Sequence, residues 1–250
     1  LSWSNITRFL TYEILPWPMR RQGFLDGSYD IALPLQPLWQ WTHKILLAEI
    51  LPGLFNTIVL TQIALVGTGL FTLVFFAALS HHFAGPTARR ITRYLIIVVR
   101  TTPEYILAYV FVLLWGPSML PAIVAITLHN GAILAHLSGQ RADLIELAAD
   151  APQKRANRYF YEVLPRIYGS FLAFLFYRWE IIMRESALLG ILGMYTLGFF
   201  IDSAIADDKL DKAILLILCT ALLNMVIDSI SQRVRRHLRV SSGAIHTLDD

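Results

Sequence analysis

The chain has 250 residues, of which 56% are hydrophobic and only 16% charged, with a formal charge of +3 and a mean hydropathy of +0.54. Soluble domains run at about 45–50% apolar and about 25% charged, so both fractions point to a polytopic membrane protein and away from a water-soluble enzyme, a disordered chain or a nucleic-acid binder. A single cysteine, Cys219, excludes an internal disulfide, a cysteine-based zinc site and an iron–sulfur cluster.

Residues 1–51 form the first region. They hold no basic segment followed by an apolar core and a small-residue cleavage site, and they do not begin with Met. The region therefore reads as exported by something upstream, most simply another membrane helix, and the chain as a piece of a longer one. Within it, Thr7 to Trp17 alternates apolar and polar residues up to Pro16 and Pro18. That pattern is compatible with an interfacial helix or with a plain extracellular loop.

Next, Ile50 to Thr87 contains no Asp, Glu, Lys or Arg, and neither does Tyr105 to Gln140. A bilayer core of about 30 Å takes about 20 apolar helical residues. One span is predicted over residues 54–79 and a second from Ile91 to the break at Gly116-Pro117-Ser118, so that Arg100 and Glu104 fall inside it. A third runs from Met119 to His136, a fourth from Ile167 with Arg178, Glu180 and Arg184 inside it, and a fifth from Ala213 to Ile230. Ser186 to Asp211, with Gly190, Gly193 and Gly198, is too short and too glycine-rich for a full span. The expected organisation is all-α: an extracytoplasmic region over 1–51, a five-span membrane domain over 52–238 and a tail over 239–250.

Sidedness follows from Lys and Arg, which cytoplasmic loops retain. Short connections force alternation. One side then receives Arg89, Arg90 and Arg93, then Arg141, Lys154, Arg155, Arg158 and Arg166, then Arg233, Arg235, Arg236 and Arg239. That side is read as cytoplasmic, with the connection and the C-terminus on it. The other receives Lys209, Lys212 and the N-terminal region.

Intramembrane charge needs a physical account, because an arginine at mid-bilayer costs about 2.5–3.5 kcal/mol on insertion scales. Arg100 and Glu104, four apart, are expected on one helix face, as are Glu180 and Arg184, while Arg178 is expected to reach another helix. These groups either fix helix packing or line the path of a small anion. Three Arg against two Glu leave one positive charge, and guanidinium groups match tetrahedral oxyanions by bidentate hydrogen bonds. His129 and His136 read as packed polar residues rather than metal ligands, His81-His82 as an interfacial pair, and Asp207, Asp208 and Asp211 as solvated. No metal site or cofactor is expected.

The longest internal connection, Gly139 to Arg166, is predicted to form two short helices about Pro152, from Asp143 to Ala151 and from Gln153 to Leu164, making a compact knob with Ala148, Ala149 and Ala151. It is either an amphipathic surface helix or a piece that fits a partner's groove. Glu146-Leu-Ala-Ala-Asp-Ala-Pro152, followed by Val163-Leu164-Pro165, resembles the Glu-Ala-Ala…Gly…Leu-Pro signature of permease subunits of binding-protein-dependent ABC importers. Pro152 stands here for its glycine, and Leu147 for its second residue. Arg100-Thr-Thr-Pro-Glu104, His129, Tyr177-Arg-Trp-Glu180…Arg184-Glu-Ser-Ala and Ile227-Asp-Ser-Ile-Ser-Gln-Arg-Val-Arg are similar to the phosphonate/phosphite-type branch.

The resemblance implies a type I importer core. In it Glu146, Ala148, Ala149, Pro152, Leu164 and Pro165 would form a coupling helix docked on a cytoplasmic ATPase dimer. It also implies a second permease subunit, a periplasmic substrate-binding protein, the bacterial inner membrane and a phosphorus oxyanion as substrate. No Gly-x-x-x-x-Gly-Lys-Ser/Thr loop is present, since no Lys follows a Gly, so ATP would be held elsewhere. Two rivals remain: a permease for another small solute such as methionine, and a membrane enzyme in which His129 and Glu180 would share one pocket.

Overall fold

The computed structural model describes residues 3–19, 35–148 and 152–246, and no strand occurs among them. Two compact units divide the chain. One comprises Leu1–Ile58 with Ser186–Leu223, the other Val59–Glu185 with Asn224–Asp250.

In the first unit, α1 (Trp3–Arg8) continues as a π turn at Phe9–Glu13, so the alternating segment is helical in its first half. Helix α2 (Leu35–Ile45) passes through a π turn at Leu46–Ile50 into α3 (Leu51–Leu79). This helix lies in the region that the sequence reads only as extracytoplasmic. Its inner face joins a core of Ile45, Ile50, Leu197, Ala204, Ala213 and Leu216.

The glycine-rich stretch folds back instead of spanning. A 3-10 turn at Gly190–Leu192 leads, through Gly193 at φ +82°, to the short apolar helix α9 (Leu197–Ala206). Thr57 positions its start, because its hydroxyl accepts from the Leu197 N–H at 3.0 Å. Asp211 departs from the expected solvated state: it is buried and accepts from the Trp17 N–H at 2.9 Å. Beside it Lys212 pairs with Glu49 at 2.8 Å.

In the second unit, α3 is apolar all round, so composition alone does not mark its buried face; packing does. Leu60, Ala64, Thr68 and Thr72 are buried while Ile63, Val66, Leu70 and Val74 are exposed, a row that suits lipid rather than water. Small residues set the approach to α6 (Met119–Asp143): a Cβ on Gly67 would lie 2.6 Å from Thr127 Oγ1, and one on Gly131 2.7 Å from the Phe71 ring. Membrane helices pack through such residues because lipid offers no hydrophobic drive. Helix α10 (Leu210–His246) extends beyond Leu238 into the expected tail.

Further differences from the sequence expectation lie in the second unit. The second span is broken into α4 (Pro86–Thr101) and α5 (Glu104–Trp115), bent by 94°. Pro103 has no N–H and drives Thr102 out of helical geometry, to ψ 121°. Arg100 and Glu104 therefore do not share a helix face. The first predicted helix of the connection is absent over its described part, since Ile145 to Ala148 is irregular; Ala149 and Ala151 lie outside the described residues. The second is short: α7 (Arg155–Arg158) joins a π turn at Tyr159–Val163 and then α8 (Leu164–Leu189), with no break at Pro165. The π turn accommodates that proline, for the Leu164 N–H bonds five residues back to the Tyr159 carbonyl.

Among the described residues, three helices are long and apolar enough to cross a membrane, or four if the bent pair counts as one span. Helix α8 has the length, at 26 residues, but its charges take it off that simple criterion.

Candidate functional site

Two constellations in the second unit collect most of the predicted residues. The first is the α6–α8 connection. Ile145 and Leu147 turn inward against a core of Phe76, Ala142, Val163 and Ile167, joined by Tyr159 and Leu164. Tyr159 stacks on Phe76 and donates its hydroxyl to the Leu73 carbonyl at 2.8 Å. Glu162 then acts as a clasp: it accepts from the Ala148 N–H at 3.3 Å and from Arg166 at 2.6 Å. Arg166 in turn donates to the Glu146 carbonyl at 3.1 Å.

The backbone of the knob is thus held on its inner side while the Glu146 side chain and Pro165 stay exposed, as does Leu144 at 78%. Glu162 and Arg166 were not singled out in the sequence. Their i,i+4 spacing was visible, but their grip on residues fourteen or more positions earlier was not. Replacing Glu162 with Ala should loosen the knob alone. Loss of its hydrogen bonds, at about 1–1.5 kcal/mol, should speed amide exchange at Leu147 and Ala148 about tenfold. Unchanged exchange by mass spectrometry would show that the clasp carries no tension.

The second constellation is the charged cluster on α4 to α6, α8 and α10. The His129 ring sits against the break: Nδ1 donates to the Thr102 carbonyl at 2.9 Å, satisfying a carbonyl at the interruption of the helix, where the Ile106 N–H turns to Pro103 instead. Its Nε2 faces Glu104 Oε2 at 3.5 Å, both side chains being 12% exposed. A carbonyl only accepts, so Nδ1 carries the ring's proton toward Thr102.

Arg178 crosses to α6, where Nη1 donates to Asn130 Oδ1 at 3.3 Å, with Glu185 and Glu104 within electrostatic reach. Glu185 shares a side-chain hydrogen bond with Asn130, while its Oε2 is buried without a partner. Glu180 holds Arg184 on its own helix and Arg235 on α10 at 3.3 Å. Arg235 also donates to Ser231 at 2.8 Å and lies over the Tyr177 ring.

Among the described residues Arg100 makes no ion pair; it lies within electrostatic reach of His136. His129 and Glu180 are not joined, since each is engaged by other groups. Sequence reading missed Asn130, Glu185 and Arg235. An amide and a carboxylate in a polar run carry no spacing signal, and Arg235 reads as one more basic residue of the C-terminal end. With them the cluster sets Arg100, Arg178, Arg184 and Arg235 against Glu104, Glu180 and Glu185, still one positive charge in excess.

Against known proteins, residues 71–240 match the family described as binding-protein-dependent transport system inner membrane component. The chain is 26% identical over 175 residues to the phosphite transport system permease protein PtxC of Stutzerimonas stutzeri, covering 67% of this chain and 62% of that protein. It is 30% identical over 128 residues to the phosphate-import permease protein PhnE of Mycolicibacterium smegmatis, covering 48% of this chain and 24% of the relative. The chain therefore spans less than two thirds of the length of these relatives. Among solved structures, it superposes on an amino acid ABC transporter with histidines at a TM-score of 0.65 and 15% identity, covering 83% of this chain and 100% of the other. It superposes on the inward-facing MetNI methionine ABC transporter at 0.62 and 15%, covering 76% and 95%. At such identity these likenesses speak for the fold alone.

Proposed function

The chain belongs to the family of binding-protein-dependent transport system inner membrane components, and from that premise we propose that it is the permease subunit of an ATP-driven importer of a small phosphorus oxyanion such as phosphonate or phosphite. The observation that carries this reading is the α6–α8 connection, held on its inner side by Glu162, Arg166 and Tyr159 while Glu146 faces outward. A free-standing surface helix would need no such fastening; a lever does.

In this reading the connection lies on the cytoplasmic side, where its basic residues would be retained. An ATPase dimer closes on ATP and displaces the knob. Because the knob is fastened to α3 and to the start of α8, the displacement passes to the helix that carries Arg178 and opens the path to the two sides in turn. A soluble receptor delivers substrate from outside, and a second permease subunit completes the pathway.

Arg178 is the proposed contact for the anion. Its hydrogen-bonded partner in the protein is a neutral amide, so a tetrahedral oxyanion finds unused N–H donors there. Glu185 and Glu104 nearby keep that attraction weak enough for release. The two curated relatives named above are named for phosphite and phosphate, which agrees with this chemistry.

Arg178→Gln keeps a donor toward Asn130 and removes the charge. In vesicles reconstituted with the ATPase and receptor, uptake of phosphite or a small phosphonate should fall about 10- to 100-fold, the worth of a charged hydrogen bond of about 1.5–3 kcal/mol, with ATPase capture intact. Unchanged uptake, or uptake of methionine instead, would overturn the substrate assignment.

A further inference from the structure

Beyond the transport path, one cavity of about 390 Å³ lies where α3 ends and α4 begins, lined by His81, His82, Arg89, Arg155 and Arg158 with the Gly85-Pro86 turn. Three elements of the second unit therefore turn basic side chains into one hollow: the α3–α4 turn, the first turns of α4, and α7. Among the described residues, the carboxylate in direct contact with these groups is Asp143, and it is already engaged by the His81 backbone N–H and ring, each at 2.8 Å. Arg158 spends its donors on the Pro152 and His82 carbonyls, at 3.2 and 3.3 Å, which positions it without neutralising it. Among the described residues, Arg89, Arg155 and Arg158 form no ion pair. Burial, and then His81 beside it, holds the His82 ring below its ordinary pKa, so the positive charge belongs to the arginines.

The setting names the ligand class. Helix α3 is free of charged residues along its length, so its C-terminal end marks where the chain leaves the hydrocarbon. From the rim of the cavity, Ile91, Leu95 and Val98 run up one side of α4, all exposed at 57–63%. A guanidinium-lined hollow at a membrane boundary, continued by an apolar strip, has the two-part chemistry of an anionic phospholipid: phosphate below, acyl chain above.

We propose that this cavity is a binding site for the phosphate of an anionic phospholipid headgroup, whose acyl chain lies along Ile91, Leu95 and Val98 of α4. The site is separate from the transport path, and the proposal needs only that the chain is embedded in a membrane. An occupant there would bear on α7, whose two arginines face it, and so on the flank of the knob.

The test uses the full chain in nanodiscs of phosphatidylcholine carrying a minor fraction of phosphatidylglycerol, released into the gas phase for native mass spectrometry. The parent should retain phosphatidylglycerol. Arg89→Gln/Arg155→Gln/Arg158→Gln should bind it about a hundredfold more weakly, about fivefold per arginine, whereas Arg233→Gln/Arg236→Gln on α10 should retain it. If the triple variant does not fold, Arg155→Gln alone, at an exposed position, should show a loss of about fivefold. Equal retention by parent and pocket variants overturns the proposal. So does displacement of the lipid by inorganic phosphate at modest concentration, which would assign the cavity to a soluble anion. Loss of ATPase capture with lipid retention unchanged would assign it to the partner protein and overturn it equally.

Discussion

If the α6–α8 connection docks on an ATPase as proposed, Glu146→Arg should abolish capture of that subunit while the chain stays folded. The side chain is exposed and, among the described residues, the hydrogen bond at this position is made by its backbone carbonyl, to Arg166, so the substitution leaves the described contacts in place. Helical content and thermal midpoint should therefore match the parent. At an interface the effect is large: breaking a buried charge pair costs about 2–5 kcal/mol, and reversal adds repulsion, so capture should weaken about a hundredfold or more at 1.4 kcal/mol per decade. Co-purification of tagged ATPase from membranes reads this directly. ATPase capture at the parental level would remove the connection from the docking surface. Glu162→Ala is the companion measurement. It touches the fastening rather than the proposed contact, so it should reduce coupled transport more than capture.

Gly198→Ala prevents the first unit from closing. A Cβ on Gly198 would stand 1.9 Å from the Ala187 carbonyl oxygen, and one on Gly190 2.1 Å from the Phe199 nitrogen. The obstructing atoms are main chain, so no rotamer change relieves them, and the end of α8 must separate from the start of α9. Overpacking usually costs about 1–3 kcal/mol, and displaced backbone places this pair at the upper end or beyond. The expected result is aggregation or a clear drop in the thermal midpoint in detergent for either glycine. Gly85→Ala, with nothing within 4 Å of the added carbon, should melt like the parent. A Gly198→Ala chain as stable as Gly85→Ala would show that the α8–α9 approach is looser than described.

Much of the architecture was legible because transfer energies and backbone preferences are local. The charge-free run over α3, the break at Gly116, where φ is +81°, and the glycine segment's failure to form a full span all follow from residues read in place. Pro103 is the instructive miss. The Arg100 and Glu104 spacing argued for one helix face, yet the proline between them carried the stronger signal, and its missing N–H decided the matter. Pro165 is the reverse case: a proline that looked like a boundary is accommodated within a continuous helical run by a π turn.

Sequence by itself determined the solvent, the helical class, the approximate ends of most apolar segments and that Arg100, Glu104, Arg178, Glu180 and Arg184 would have to be accommodated inside them. Only the tertiary structure decided who those partners are: His129 with Glu104, Arg178 with Asn130, Glu180 with Arg235, Asp211 with the Trp17 backbone. The reason is that the cost of leaving a group unpaired depends on that residue alone, whereas its partner depends on where helices cross and where they break. Those positions are set by small residues and prolines far away in the chain.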